Sequence, residues 1–253
     1  LYKPNGHIRK TGTYIKGKMS GLWRELYLIT DTVYQESEYK NGEKNGLFKE
    51  YYVNGKISMQ GNYLNGLKNG EWTYSFINGA IDMKGAFKED KQNGFWTFYY
   101  PKGIEYYKGN FINGQKDGKW DFFYNTGKTW KKGGYKYDQK NGFWSTKFEN
   151  GTTAMEGNYI MNKENGLWKS WYDNGQLKDI GSYNLGMMDK NWVGYYKSGQ
   201  KKYSGEYEDD YNKLKFSQYG PAMINLLAGT PDEITIDKPV KEYEKTDFNP
   251  MLD

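Results

Sequence analysis

The twelve residues Gly61-Asn62-Tyr63-Leu64-Asn65-Gly66-Leu67-Lys68-Asn69-Gly70-Glu71-Trp72 hold one member of each of two aromatic series that run through the chain. Followed outward, Trp72 belongs to the series Trp23, Phe48, Trp72, Trp96, Trp120, Trp144, Trp168 and Trp192. Tyr63 belongs to Tyr14, Tyr39, Tyr63, Phe87, Phe111, Tyr135, Tyr159, Tyr183 and Tyr207. Every step is 24 residues except the first of each series, which is 25, so one extra residue lies before Tyr39. A fixed period of this length marks a repeat architecture, in which one small unit is stacked many times.

Between the two series fall turn signals, at Asn54-Gly55, Asn78-Gly79, Lys102-Gly103, Thr126-Gly127, Asn150-Gly151, Asn174-Gly175 and Ser198-Gly199. Asn-Gly suits a type I′ hairpin turn, whose two central residues need positive φ. A two-residue turn centred on Asn54-Gly55 predicts Tyr52 opposite Ile57, Phe48 opposite Gly61 and Gly46 opposite Tyr63. The same register pairs Trp72 with Gly85 and Trp96 with Gly109. Each large ring then faces a glycine across the ladder, and the glycine leaves space over which a cross-strand ring lies.

Strand alternation sorts the faces. Each Trp-series residue shares a side with the aromatic four positions later, as in Trp72 with Phe76, Trp96 with Tyr100 and Trp120 with Tyr124. Ile57, Met59 and Tyr63 of the second strand join that side, while the intervening positions are mostly Lys, Ser, Thr, Asn, Asp or Gln. One face is an aromatic ladder and the other is solvated. Helices are excluded because Gly and Asn-Gly interrupt every dozen residues, and a single hairpin is too small for a propeller blade. Periodicity by itself excludes a closed barrel less firmly. The expected fold is therefore all-β: an elongated, open, single-layer antiparallel sheet of about eight and a half tandem 24-residue hairpins. About 17 strands at roughly 4.8 Å spacing make it on the order of 80 Å long.

Composition agrees. Only 36% of the 253 residues are hydrophobic, and 26 Tyr, 9 Trp and 12 Phe supply much of that. No apolar run is long enough to span a bilayer as a helix. The absence of Cys removes disulfides, thiolate metal sites and Cys nucleophiles, and the lone His7, beside Asn5-Gly6, reads as an ordinary surface residue. The array is expected over 1–219, followed by a short apolar capping helix over 220–230, where Pro221 precedes Ala222, Met223, Ile224, Leu226 and Leu227. An extended acidic tail completes the chain over 231–253, and it is expected to set Asp232, Glu233, Asp237, Glu242 and Glu244 near lysine-rich surface. Leu1 in place of an initiator Met implies either a processed chain or a fragment. A removed export signal would also account for the missing Cys, so the expected location is the bacterial cell envelope or outside the cell, with the cytoplasm as the alternative.

Segments such as Gly61 through Trp72, and Gly157-Asn158-Tyr159 through Gly166-Leu167-Trp168, resemble MORN repeats, in particular the bacterial variant described as YwqK-like antitoxin. The resemblance covers residues 5 to 219. Eukaryotic MORN repeats are shorter and usually carry Gly where this chain has Trp72 or Trp96, so the variant subgroup is the better match. The resemblance implies an elongated scaffold that mediates protein contacts and sometimes associates with membranes. The antitoxin label implies neutralising a partner protein.

From Glu206 to Asp253 stand eleven acids and five lysines, a net of −6, so the remaining 205 residues carry +11 to bring the chain to its net +5. A basic ribbon attracts anionic surfaces and acidic proteins, and the absence of an Arg-rich stripe or RNA-binding signature argues against specific nucleic-acid recognition. The expected function is a non-catalytic scaffold with a protein partner and no cofactor, metal or catalytic residue. Recognition of a glycan or an anionic membrane surface is the alternative. On the polar face the expected register puts Tyr99 opposite Tyr106 and Phe123 opposite Trp130, bordered by Lys108 and Lys132. These six residues are the candidate partner-binding patch, since rings beside ammonium groups offer stacking and cation contacts.

Overall fold

The computed structural model describes residues 8–207 with their side chains, and the backbone of one further strand at Lys215–Tyr219. His7, the 220–230 helix and the 231–253 tail lie outside the described residues. The first strands are β1 (Lys10–Ile15), β2 (Lys18–Leu26), β3 (Val33–Lys40), β4 (Glu43–Tyr51), β5 (Ile57–Leu64) and β6 (Leu67–Ser75). The middle of the chain forms β7 (Ile81–Lys88), β8 (Lys91–Tyr99), β9 (Glu105–Ile112), β10 (Gln115–Phe123), β11 (Thr129–Lys136), β12 (Gln139–Lys140) and β13 (Gly142–Lys147). The last are β14 (Thr153–Ile160), β15 (Lys163–Trp171), β16 (Leu177–Asn184), β17 (Met187–Tyr195), β18 (Lys201–Tyr207) and β19 (Lys215–Tyr219). β12 and β13 both pair with β11 and are two pieces of one strand position. Otherwise each strand pairs antiparallel with its neighbours in sequence, and among the described residues β1 pairs with β2 alone and β19 with β18 alone, so the sheet is open.

The type I′ turns are not where Asn54-Gly55 and its equivalents predict them. They lie at the opposite edge of the sheet: Leu64 faces Leu67 across Asn65 and Gly66, whose φ values are 49° and 81°. Glu89-Asp90, Asn113-Gly114 and Leu185-Gly186 repeat this pattern of two positive φ values. At Asn54-Gly55 only the glycine is left-handed, with φ 81°. There the Gly55 N–H donates to the Tyr52 carbonyl at 2.9 Å and the Tyr52 N–H donates to Lys56 at 2.8 Å, which makes a longer loop built on a type I turn. Asn54 serves with its side chain instead. Its Oδ1 accepts the Lys56 N–H at 3.1 Å, and its Nδ2 donates to Ile77 of the next hairpin at 3.0 Å.

This loop shifts the register near its end. Phe48 faces Gly61 and Gly46 faces Tyr63 as expected, but Tyr51 rather than Tyr52 faces Ile57, and Ser58 is the extra residue of a bulge. Every later loop of this kind carries the same shift between the Trp-series strand and its partner, for example between Phe98 facing Tyr107 and Tyr99 facing Glu105.

The in-strand glycines do make room for rings, but for those of the following hairpin. Trp72 faces Gly85 in register, yet its indole leans the other way: a Cβ on Gly61 would lie 2.2 Å from the Trp72 ring, and one on Gly85 would lie 2.4 Å from Trp96. The indole N–H groups fix this direction, Trp72 donating to the Asn62 carbonyl at 3.2 Å and Trp96 to the Ala86 carbonyl at 3.0 Å. From Trp72 to Trp192 each indole of the series thereby stitches its hairpin to the one before. Tyr63 and Phe87 meet Trp72 edge-on from either side, with centroids 5.2 and 6.0 Å away, the geometry that ring quadrupoles favour. Trp72, Trp96 and Trp120 are at most 1% exposed, although the sheet is one layer thick. Lys68 and Lys116 complete the cover, their ammonium groups 4.7 and 5.1 Å from the Trp72 and Trp120 centroids. Burial lowers the pKa of both lysines, partly offset by the charges of Asp90 and Asp138.

Candidate interaction site

The residue after each Trp-series member points to the opposite, lysine-bearing face. Because hairpin after hairpin keeps one register, these residues and their partners form a straight row across the strands. Thr73, Lys84, Thr97, Lys108, Asp121, Lys132 and Ser145 are successive register neighbours from β6 to β13. Lysine thus recurs at every second strand, with short side chains between; Thr97 and Ser145 are buried.

Rings flank this row on both sides. Toward the long loops stand Tyr99 and Phe123, with the Lys84 ammonium 5.8 Å from the Tyr99 centroid and that of Lys108 5.2 Å from Phe123. Toward the type I′ edge stand Phe95 and Phe143, which are 55% and 53% exposed. Lys108 also pairs with Glu105 at 2.8 Å, whereas Lys132 is exposed between Asp121 and Ser145.

The expected patch is therefore divided. Tyr99, Phe123, Lys108 and Lys132 share the lysine face, but Tyr99 faces Glu105 and Phe123 faces Thr129, so neither expected aromatic pair forms. Tyr106 and Trp130 are the extra residues of their bulges, and the bulge turns them onto the aromatic face. There the Tyr106 ring lies 4.6 Å from Tyr100 and 4.8 Å from Tyr107. Trp130 lies 6.0 Å from Tyr124, with the Lys131 ammonium 4.3 Å from its centroid. The equivalent residues Tyr34, Lys178 and Lys202 likewise reach the tyrosines Tyr27, Tyr172 and Tyr196.

Lys84, Phe95 and Phe143 were not among the expected residues, nor were Tyr51, Trp171 and Tyr195, which continue the column of Tyr99 and Phe123. The 24-residue period holds the signal that finds this column: all five lie three positions after a Trp-series residue. At its near end Tyr51 donates to Glu36 at 2.8 Å, and Glu36 also accepts from Arg24 at 2.7 Å. These two bonds hold the Glu36 carboxyl below its ordinary range, while burial and the Glu36 bond push the Tyr51 hydroxyl up to about 12.

On the aromatic face a cavity of about 10 Å³, room for one water molecule, lies among Lys131, Lys140, Trp144, Thr146, Met155, Tyr159 and Trp168. It opens where Thr146 takes the position held by Phe122 one repeat earlier. Among the described residues no three His, Cys, Asp or Glu side chains gather as a metal site, and no helix is long and apolar enough to cross a membrane. No protein-family model matches the chain, and no curated protein matches it.

Proposed function

We propose that the chain is a non-catalytic repeat scaffold that holds a protein partner on its lysine face, as a subunit or accessory of a larger assembly. The observation that carries this reading is the row of Lys84, Lys108 and Lys132 set between two lines of partly exposed rings. Rings and cations at fixed spacing on a sheet held from both sides by its own hairpins offer stacking and charge-assisted contacts with little ordering cost. The resemblance of the repeats to the bacterial MORN variant supports the same role, and membership of that family and a place in the cell envelope belong to the proposal. Affinity capture from the native source, with mass spectrometry, tests it. A partner held by the wild type and lost by a folded Tyr99→Ser, Phe123→Ser variant supports the assignment. Equal capture by that variant, with loss in Tyr106→Thr, Trp130→Thr, moves the docking surface to the aromatic face.

A further inference from the structure

The spacing of the lysine row carries information about what lies on it. Lys84, Lys108 and Lys132 each stand two strands from the next along a straight register line. At about 4.8 Å per strand their backbone positions recur every ~9.6 Å. An extended peptide repeats its side chains on one side every ~6.7 Å and falls out of step after one lysine. An α-helix rises ~1.5 Å per residue, so positions seven apart recur on one side every ~10.5 Å. The difference of about 1 Å per step is within the reach of a flexible lysine stem.

We infer that the lysine face docks an acidic amphipathic α-helix laid across the strands, with a carboxylate at every seventh residue meeting Lys84, Lys108 and Lys132. This rests on the reading of that face as the protein-docking surface. Charge complementarity names the helix's acidic stripe, and the flanking rings name its neighbours. Apolar side chains three and four residues on from each carboxylate lie beside the stripe, over Phe95 and Phe143 on one side and Tyr99 and Phe123 on the other. Asp121 adds selectivity. It stands between Lys108 and Lys132 in the same row, so a uniformly charged polyanion brings a negative group against it, whereas a heptad-spaced stripe does not.

The test uses the full chain and three probes. They are a synthetic three-heptad peptide with Glu at one position of each heptad and Leu three and four residues on, an isomer of equal composition with the glutamates moved off that spacing, and heparin. Titration calorimetry is expected to show the heptad peptide binding about tenfold more tightly than its isomer. The Lys84→Gln, Lys108→Gln, Lys132→Gln variant is expected to lose that preference while keeping its near-UV circular dichroism. Should the triple variant not fold, the single exposed-site change Lys132→Gln is expected to reduce the preference severalfold. Equal affinity for both peptides, tighter binding of heparin than of the heptad peptide, or undiminished preference in a folded glutamine variant overturns the inference. Any of these leaves the scaffold reading standing wherever native capture still depends on Tyr99 and Phe123.

Discussion

Ser37 stands where the following repeats carry Gly61, Gly85 and Gly109, and Phe48 stands where they carry Trp72, Trp96 and Trp120. The two departures compensate each other. A Cβ at Gly61, Gly85 or Gly109 would sit 2.2 to 2.4 Å from the indole of the following repeat, so a serine is admitted only under a smaller ring. Ser37 is 1% exposed and Phe48 is 2% exposed, which leaves no slack between them. Phe48→Trp by itself is expected to destabilise by about 1–3 kcal/mol through overpacking. Adding Ser37→Gly is expected to recover most of that, with a coupling of about 1–2 kcal/mol in a double-mutant cycle read by urea denaturation. Additive single effects would show that the ring does not lie over Ser37.

At the scale of the hairpin, the two edges of the sheet use different turn chemistry. Type I′ turns need left-handed φ at both central residues, which costs a residue with a Cβ about 1–2 kcal/mol unless it is Asn or Asp. Leu185 bears φ 47° directly before Gly186 and is 46% exposed, so nothing packs against its side chain strongly enough to offset that cost. Leu185→Asn is therefore expected to stabilise the chain by about 0.5–1 kcal/mol, seen as a higher urea midpoint at unchanged slope. The reverse holds at the long loops. Asn174 has no positive φ but bonds the Gln176 N–H at 3.1 Å and the Lys197 carbonyl at 3.3 Å. Asn174→Ala is expected to cost about 1 kcal/mol by loss of these bonds, in the same measurement.

For the whole molecule, stability is a sum over neighbouring hairpins, because bonds such as those from the Trp120 indole to Asn110, the Tyr100 hydroxyl to Phe123 and the Asn78 side chain to Pro101 reach only the adjacent repeat. Deleting residues 89–112 joins Lys88 to the Asn113-Gly114 turn and sets Trp120 over Gly85. The product is expected to fold with the same circular dichroism and a maximum dimension about 10 Å shorter by X-ray scattering. Loss of cooperative folding would contradict the one-dimensional account. Titration of the buried tyrosines acts on the whole sheet at once. Burial, with the charge of Tyr106 behind it, raises Tyr107 from 10.0 to about 12, and burial with the charge of Glu164 raises Tyr183 likewise. A raised folded-state pKa means that the unfolded chain gives up its proton first. The stability from these groups is complete below pH 10 and is lost as pH rises through 12. Lys44, Lys68 and Lys116 act in the opposite sense, since losing their protons relieves a burial cost, but that gain ends by their ordinary value of 10.5. Urea midpoints measured from pH 10 upward are expected to fall, in step with the tyrosinate absorbance. A midpoint that holds steady to pH 12 would contradict the burial of these hydroxyls.

The sequence by itself determined the period, the strand count per repeat, the antiparallel meander and the pairing of Phe48 with Gly61 and Trp72 with Gly85. All of these depend on spacing along one chain, and a 24-residue step with glycines in phase admits few other solutions. It also showed that Tyr99, Phe123, Lys108 and Lys132 share a face, because alternation holds along an unbroken strand. Only the tertiary structure decided which edge carries the type I′ turns, since Asn-Gly serves equally as a source of positive φ and as a side-chain bond to the next hairpin. It decided, too, that from Trp72 to Trp192 each indole of the series leans over the preceding hairpin, toward a carbonyl that no pairing rule distinguishes. The bulge at each long loop moved Tyr106 and Trp130 to the other face, and a one-residue shift in register is invisible to a period that counts residues alone.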